Sequence, residues 1–278
     1  LKLSPSKIRA ALVEKGKTLG LRLPQMQLLL AQERFMARLA RTEYAQKFIW
    51  KGGSIILRLY KIPEITRFTV DLDLLLRGMK IDEVATVFKK CCEIDLDDDF
   101  VFSNVRSTQM VRETPYGGER FEIDWKLNNR GQSESLKIDV CAGDDVDVQL
   151  YDTNHIYLLN YDEKNISFLV YPPYFIFAEK FETAYSFGTG NTRAKDYIDM
   201  WTLIQYGLDG SLVKESINRC FLRRGTRYNP KEWERIINSE FLINFIDVQI
   251  KRHFSRLNLP ETNIIFNTIK EFIANLNL

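Results

Sequence analysis

Apolar residues recur at helical spacing between Pro5 and about Ala45, first at Ile8 and Leu12, then at Leu28, Leu29, Phe35, Met36 and Leu39. Two packed helices are predicted there, with Pro24 in the opening turn of the second, where proline is well tolerated. Phe48, Ile49 and Trp50 form a short apolar run that Gly52 and Gly53 stop, the pattern of a buried strand entering a tight turn. Ser54 then starts a helical stretch through Ile55, Ile56, Leu57 and Leu59. From Phe68 to Leu76 the character alternates, with Phe68, Val70, Leu72 and Leu74 on one side and Thr69, Asp71 and Asp73 on the other. Such alternation predicts a half-buried strand with two acids on its polar face.

Asp82 to Cys92 reads as a helix, and Phe100 to Val111, Glu119 to Leu127 and Ser135 to Cys141 read as strands. Asn128-Asn129-Arg130-Gly131 joins the last two with a strong hairpin signal. Pro172-Pro173 then divides strand-rich sequence from helical periodicity, which places domains at 1–171 and 172–278. Helices are expected at about 174–188, 193–206, 211–222, 231–238, 240–254 and 261–276. No internal repeat or low-complexity tract interrupts this order.

With 278 residues and 45% hydrophobic content, the chain has enough material for a substantial core. Lys and Arg (39) nearly balance Asp and Glu (37), so any contact with nucleic acid must be local rather than driven by net charge. Four cysteines without a CxxC spacing and only two histidines exclude a structural zinc site. The absence of a long apolar run or a signal-peptide core near the start leads to the expectation of a cytoplasmic protein without a membrane partner. Beginning at Leu1 rather than Met, the sequence reads as starting inside its natural chain.

The chemistry lies around the alternating strand. Carboxylates two positions apart on a strand share a face, so Asp71 and Asp73 can hold one or two hard cations such as Mg2+ or Mn2+. Such ions neutralise a triphosphate and activate an attacking hydroxyl. Just upstream, Gly52 and Gly53 allow a phosphate to approach the backbone closely, and Ser54 stands at a helix start, where amide donors favour anions. A third acid is expected on a neighbouring strand as metal ligand and proton acceptor. Asp139, within Lys137-Ile138-Asp139-Val140, is preferred, and Asp124 is its rival.

Lys51-Gly52-Gly53-Ser54 followed by Arg67-Phe68-Thr69-Val70-Asp71-Leu72-Asp73-Leu74 resembles the AbiEii/AbiGii-type toxins, a nucleotidyltransferase-like, MenT-like family of type IV toxin–antitoxin systems. The segments 178–184 and 193–199 resemble that family's later motifs, and the likeness spans about residues 30–230. It implies an α+β fold, with a polymerase-beta-like nucleotidyltransferase domain built on a mixed sheet flanked by helices and a C-terminal helical domain that completes the site. It also implies Mg2+, a nucleoside triphosphate, growth inhibition, phage defence and a cognate antitoxin, with the tRNA 3′ end as acceptor in some members. By the matching positions, Ser54 would lie at the phosphates, Lys180 would reach the triphosphate, and Lys195 and Asp196 would complete the site. The 16 residues between Ser54 and Asp71 exceed the usual spacing, which the loop around Pro63 would absorb.

Arg223, Arg224 and Arg227, interleaved with Phe221, Tyr228 and Trp233, form a basic segment suited to an RNA backbone, or else a solvated helix end whose aromatics belong to the core. Asp95 to Asp99 lacks the glycine and glutamate of a calcium loop and reads as an acidic turn, and His155 reads as structural. No GxSxG, Walker A or GxGxxG pattern occurs. Two other functions use the same site: transfer to a protein or small-molecule hydroxyl, and nucleotide binding without turnover.

Overall fold

Phe48–Lys51 (β1) is buried along its whole length, as befits an interior strand paired on both edges. It lies antiparallel to Leu72–Leu76 (β2) and parallel to Ser167–Val170 (β7). The remaining strands are Phe100–Met110 (β3), Gly118–Leu127 (β4), Glu134–Ala142 (β5) and Gln149–Asp152 (β6). The computed structural model describes residues 5–60, 64–110, 118–127, 133–142, 148–152, 157 and 167–278. Among these, one mixed sheet runs in the order β3-β4-β5-β2-β1-β7-β6, with β2 parallel to β5 and antiparallel pairing at the β3-β4, β4-β5 and β6-β7 edges. The Asn128–Gly131 turn, Val111, the Pro63 loop and His155 lie outside the described residues.

The strand expected from Phe68 starts only at Leu72. Gln32 donates its side-chain amide to the Val70 carbonyl at 2.9 Å, which diverts that carbonyl from a ladder, and Val70 is 49% exposed rather than core-facing. Asp71 therefore occupies a bend just before β2, while Leu72 and Leu74 are buried and Asp73 faces the other side.

The chain divides into two compact units, the first comprising Leu1–Leu59 and Phe68–Tyr171. Its helices are Pro5–Leu19 (α1), Leu23–Leu39 (α2), Gly53–Tyr60 (α3), which ends at the unit's boundary, and Val84–Glu93 (α4). Because most of α2 is buried, its charged side chains need internal partners. Glu33 accepts from Arg58 at 2.5 Å, and Arg34 and Arg38 close on Asp98 at 2.6 and 2.8 Å. The acidic turn is thus an anchor for α2 through Asp98, whose pKa is lowered because the two arginines outweigh its burial.

The second unit comprises Tyr60–Arg67 and Pro172–Leu278. Its helices are Pro173–Phe187 (α5), Ala194–Gln205 (α6), Gly210–Arg224 (α7), Pro230–Ile237 (α8), Glu240–His253 (α9) and Thr262–Asn275 (α10). Local chemistry sets several of these ends. Asp209 caps α7 by accepting from the Ser211 and Leu212 amides, Asn229 and Ser239 cap α8 and α9, and α7 stops at Gly225, which takes a left-handed φ of 68°. The 60–67 segment belongs here because Tyr60 stacks on Tyr206 at 3.9 Å and Thr202 donates to the Ile65 carbonyl at 3.1 Å.

Candidate active site

Strand register places four charged residues in one row across the sheet. Arg120 on β4 pairs with Asp139 on β5, Asp139 with Asp73 on β2, and Asp73 with Lys51 on β1. Residues directly opposite on neighbouring strands project to the same face, and strands lie about 4.8 Å apart, so carboxylates on β2 and β5 can share a cation. Asp71, in the bend ahead of β2, turns toward the same place, with Oδ2 3.7 Å from Arg120 Nη2. Asp71, Asp73 and Asp139 therefore surround one guanidinium. The hydrogen bonds that Arg120 donates to Asp139 are the largest influence raising the Arg120 pKa, and the charges of Asp139, Asp71 and Asp73 add to them against partial burial.

Asp124 lies further along β4, opposite Ser135, and is held by Arg106 at 2.6 and 3.0 Å and by Asn104 at 2.9 Å. The structure brings Asp139, not Asp124, beside Asp73.

Gly52 connects this row to the turn. Its φ is +80°, and a Cβ there would fall 2.1 Å from Asp73 Oδ2 and 2.7 Å from Asp73 Cγ. The Asp73 carboxylate thus rests directly against the turn's backbone, in space that only glycine leaves open. Gly53 begins α3, whose first amides have no acceptor within the helix. The Ser54 hydroxyl points inward: it accepts from Trp50 Nε1 at 3.0 Å, donates to the Lys51 carbonyl at 3.4 Å, and belongs to a residue only 2% exposed. A phosphate at this turn meets backbone amides before it meets that hydroxyl. Lys51 Nζ lies 4.8 Å from the Tyr171 ring centre.

The donors suit a hard divalent cation in kind, since three carboxylates converge on one positive charge and Gly52 leaves room for one of them. As the side chains stand, however, no group of three or more His, Cys, Asp or Glu among the described residues is arranged to enclose a metal ion. Arg120 Nη2 lies 2.8 Å from Asp139 Oδ2 and 3.7 Å from Asp71 Oδ2.

In the helical unit, Lys180 on α5 bonds Asp196 on α6 at 2.8 Å and approaches Asp199 at 3.4 Å. Arg193 takes the other Asp196 oxygen at 2.6 Å, and Arg67 grips Asp199 with two bonds of 2.7 Å. Burial pushes Asp196 up, but Lys180 and Arg193 outweigh it and bring the pKa down to about 2. Burial also opposes charge on Lys180, yet Asp196 and Asp199 raise it. Lys195 is lowered, first by burial and then by repulsion from Lys180, Arg193 and Arg67. Four cations thus gather around two carboxylates, a surplus of positive charge to which an anion could bind. Asp196 and Asp199 are thus buried within a charge network whose outer members, Arg193 and Lys195, are exposed.

The basic segment divides between the two readings given for it. Arg224 forms a very short hydrogen bond with Glu182 and a second contact with Glu179 at 3.8 Å, so it is committed within its own unit. Phe221 and Trp233 are each 4% exposed and pack around Phe181. Arg223 is half-buried, and Arg227 is exposed.

Sequence reasoning missed Arg120, Arg67 and Arg193. A register carried down the hairpin from its turn would have put Arg120 opposite Asp139. Arg67 stands in the resembling motif, but its task was not legible there, because its partner is 132 positions away.

A mixed sheet that gathers acids from adjoining strands against a glycine turn and a helix start, followed by a helical unit, is the α+β architecture of nucleotidyltransferases. The chain belongs to the AbiEii nucleotidyl transferase toxin family of type IV toxin–antitoxin systems, whose model matches residues 34–271. Its fold is similar to that of JHP933 from Helicobacter pylori, at 14% identity and a TM-score of 0.53 over 89% of this chain and 91% of that one. A second H. pylori protein, provisionally described as a nucleotidyltransferase, aligns at 13% identity and a TM-score of 0.45 over 91% of this chain and 96% of that one. No curated protein matches the chain. Among the described residues, no helix is long and apolar enough to cross a membrane.

Proposed function

We propose that this toxin transfers a nucleoside monophosphate from a nucleoside triphosphate to an acceptor hydroxyl, the tRNA 3′ end, and thereby inhibits growth or aborts phage infection until its antitoxin intervenes in the cytoplasm. The observation that carries this reading is the convergence of Asp71, Asp73 and Asp139 beside the Gly52 turn. Magnesium or manganese, when bound, would neutralise the phosphates and make the hydroxyl more acidic. Asp71, Asp73 and Asp139 would hold it, and Asp139 would also take the hydroxyl's proton. The amides of Gly53 and Ser54 would receive phosphate oxygens, and Lys180, Lys195 and Asp196 would form a cationic site for nucleotide phosphate in the helical unit.

Incubation with each labelled triphosphate, magnesium and total tRNA tests the reaction. Label should enter RNA with the wild type and disappear with Asp71→Ala, and absence of product with all four triphosphates refutes the reading. The involvement of Arg224 with Glu182, and of the nearby aromatics with the core, takes these groups away from an RNA acceptor, and the second reading is transfer to a protein or small-molecule alcohol. Label recovered there instead would identify it. Nucleotide binding without turnover on any acceptor would mark a binding module.

A further inference from the structure

Arg120, like Lys51, is a charged group in the row of acids to which the reaction above gives no task. Its Nη2 lies 2.8 Å from Asp139 Oδ2 and 3.7 Å from Asp71 Oδ2, while Nε lies 2.7 Å from Asp139 Oδ1. One cationic nitrogen therefore bridges two acids, where an ion shared by them would sit. The two-pronged grip on Asp139 occupies one lone-pair site on each of its oxygens. The Arg120 side chain is 37% exposed and the Asp71 side chain 42%, so the guanidinium borders solvent and can leave by rotating about its own bonds. A metal ion on the same oxygens would lie within a few ångström of the guanidinium, where like charges repel strongly.

Resting on the metal-dependent reading above, we propose that Arg120 is a resident counter-cation that holds Asp139 and Asp71 together in the metal-free protein and must release them for a divalent ion to bind. Arg120 is then a positioning residue that lowers metal affinity and keeps the acids gathered until metal arrives. Its removal strengthens metal binding, whereas removal of a ligand weakens it.

Mn2+ binding measured by electron paramagnetic resonance, with no nucleotide, tests this in the full chain. Arg120→Gln is expected to bind Mn2+ at least about tenfold more tightly than wild type, equivalent to about 1.4 kcal/mol. Arg120→Lys should fall between them, since lysine keeps the charge but loses the fork. Unchanged or weaker binding in both variants overturns the proposal, yet leaves the metal reading standing if the wild type binds Mn2+ and Asp139→Asn does not. No binding by wild type or either Arg120 variant overturns both. Should Arg120→Gln unfold, the Arg120 Nε resonance of the wild type carries the test. It is expected to lose its carboxylate-bonded shift as Mg2+ is added, and a resonance that stays put overturns the proposal.

Discussion

Gly52 and Asp73 are in such close apposition that a methyl group on the first would collide with the carboxylate of the second, 2.1 Å from Oδ2. Gly52→Ala must therefore displace Asp73 or open the turn, and it also forces a side chain into a φ of +80°. Left-handed backbone at a non-glycine residue costs about 1–3 kcal/mol. The variant should melt at lower temperature and transfer label at least about tenfold more slowly. A stable, fully active Gly52→Ala protein would show that Asp73 is not needed where it rests.

Asp139 and Asp124 make opposite predictions. Asp139 shares its row with Asp73, while Asp124 is occupied by Arg106 further along β4. Asp139→Asn keeps the shape but loses the charge that a metal or a hydroxyl proton needs, and its transfer rate should fall by about a hundredfold or more. Asp124→Asn should leave transfer near the wild-type rate. Steady-state rates of the two variants with the same labelled triphosphate decide, and a reversed ranking would reject the third acid chosen here.

Legibility in the sequence follows the distance over which each interaction acts. The helices of the second unit begin and end on local signals, Pro173, Asp209, Ser239 and Gly225 among them, and periodicity supplies their interiors. The Gly52 turn and the Asp71–Asp73 pair are equally local. The true start of β2 was not readable, because it depends on an amide from Gln32, 38 residues earlier, taking the Val70 carbonyl. The engagement of Arg224 was hidden for the same reason, its partner Glu182 being 42 residues away. The preference for Asp139 over Asp124 rests on the apolar run around it, whereas its place beside Asp73 depends on β2 and β5 being parallel neighbours, a matter of sheet order that local sequence does not encode.

Asp196 should impose an acid limb on stability. Its folded pKa of about 2 lies below its ordinary value of 3.8, because Lys180 and Arg193 outweigh the penalty of burial. A depressed carboxylate stabilises the fold above its unfolded pKa and loses that contribution as pH falls through the folded one. The window is therefore about pH 4 down to about pH 2, and the contribution is about 2 kcal/mol. Urea unfolding of wild type and Asp196→Asn should show a wild-type advantage at pH 5 that shrinks toward pH 2. An advantage that stays constant across that range would rule out the linkage.

Arg224 and Arg227 separate a structural arginine from one open to a ligand. Glu182, 4% exposed, accepts from Arg224, Thr226 and Ser186, so Arg224→Gln leaves a buried carboxylate short of its cationic partner. Breaking a fully buried pair costs about 3–5 kcal/mol. With the Arg224 side chain 21% exposed, about 2 kcal/mol is the more reasonable expectation after screening. Arg227 is exposed, and Arg227→Gln should change stability by no more than about 0.5 kcal/mol. Thermal melts paired with tRNA filter binding distinguish the roles. Arg224→Gln should lower the melting temperature, and any RNA contact made by this segment should be lost with Arg227→Gln in a protein that melts like the wild type. Equal melts for the two variants would mean that the Glu182 link adds nothing to the fold.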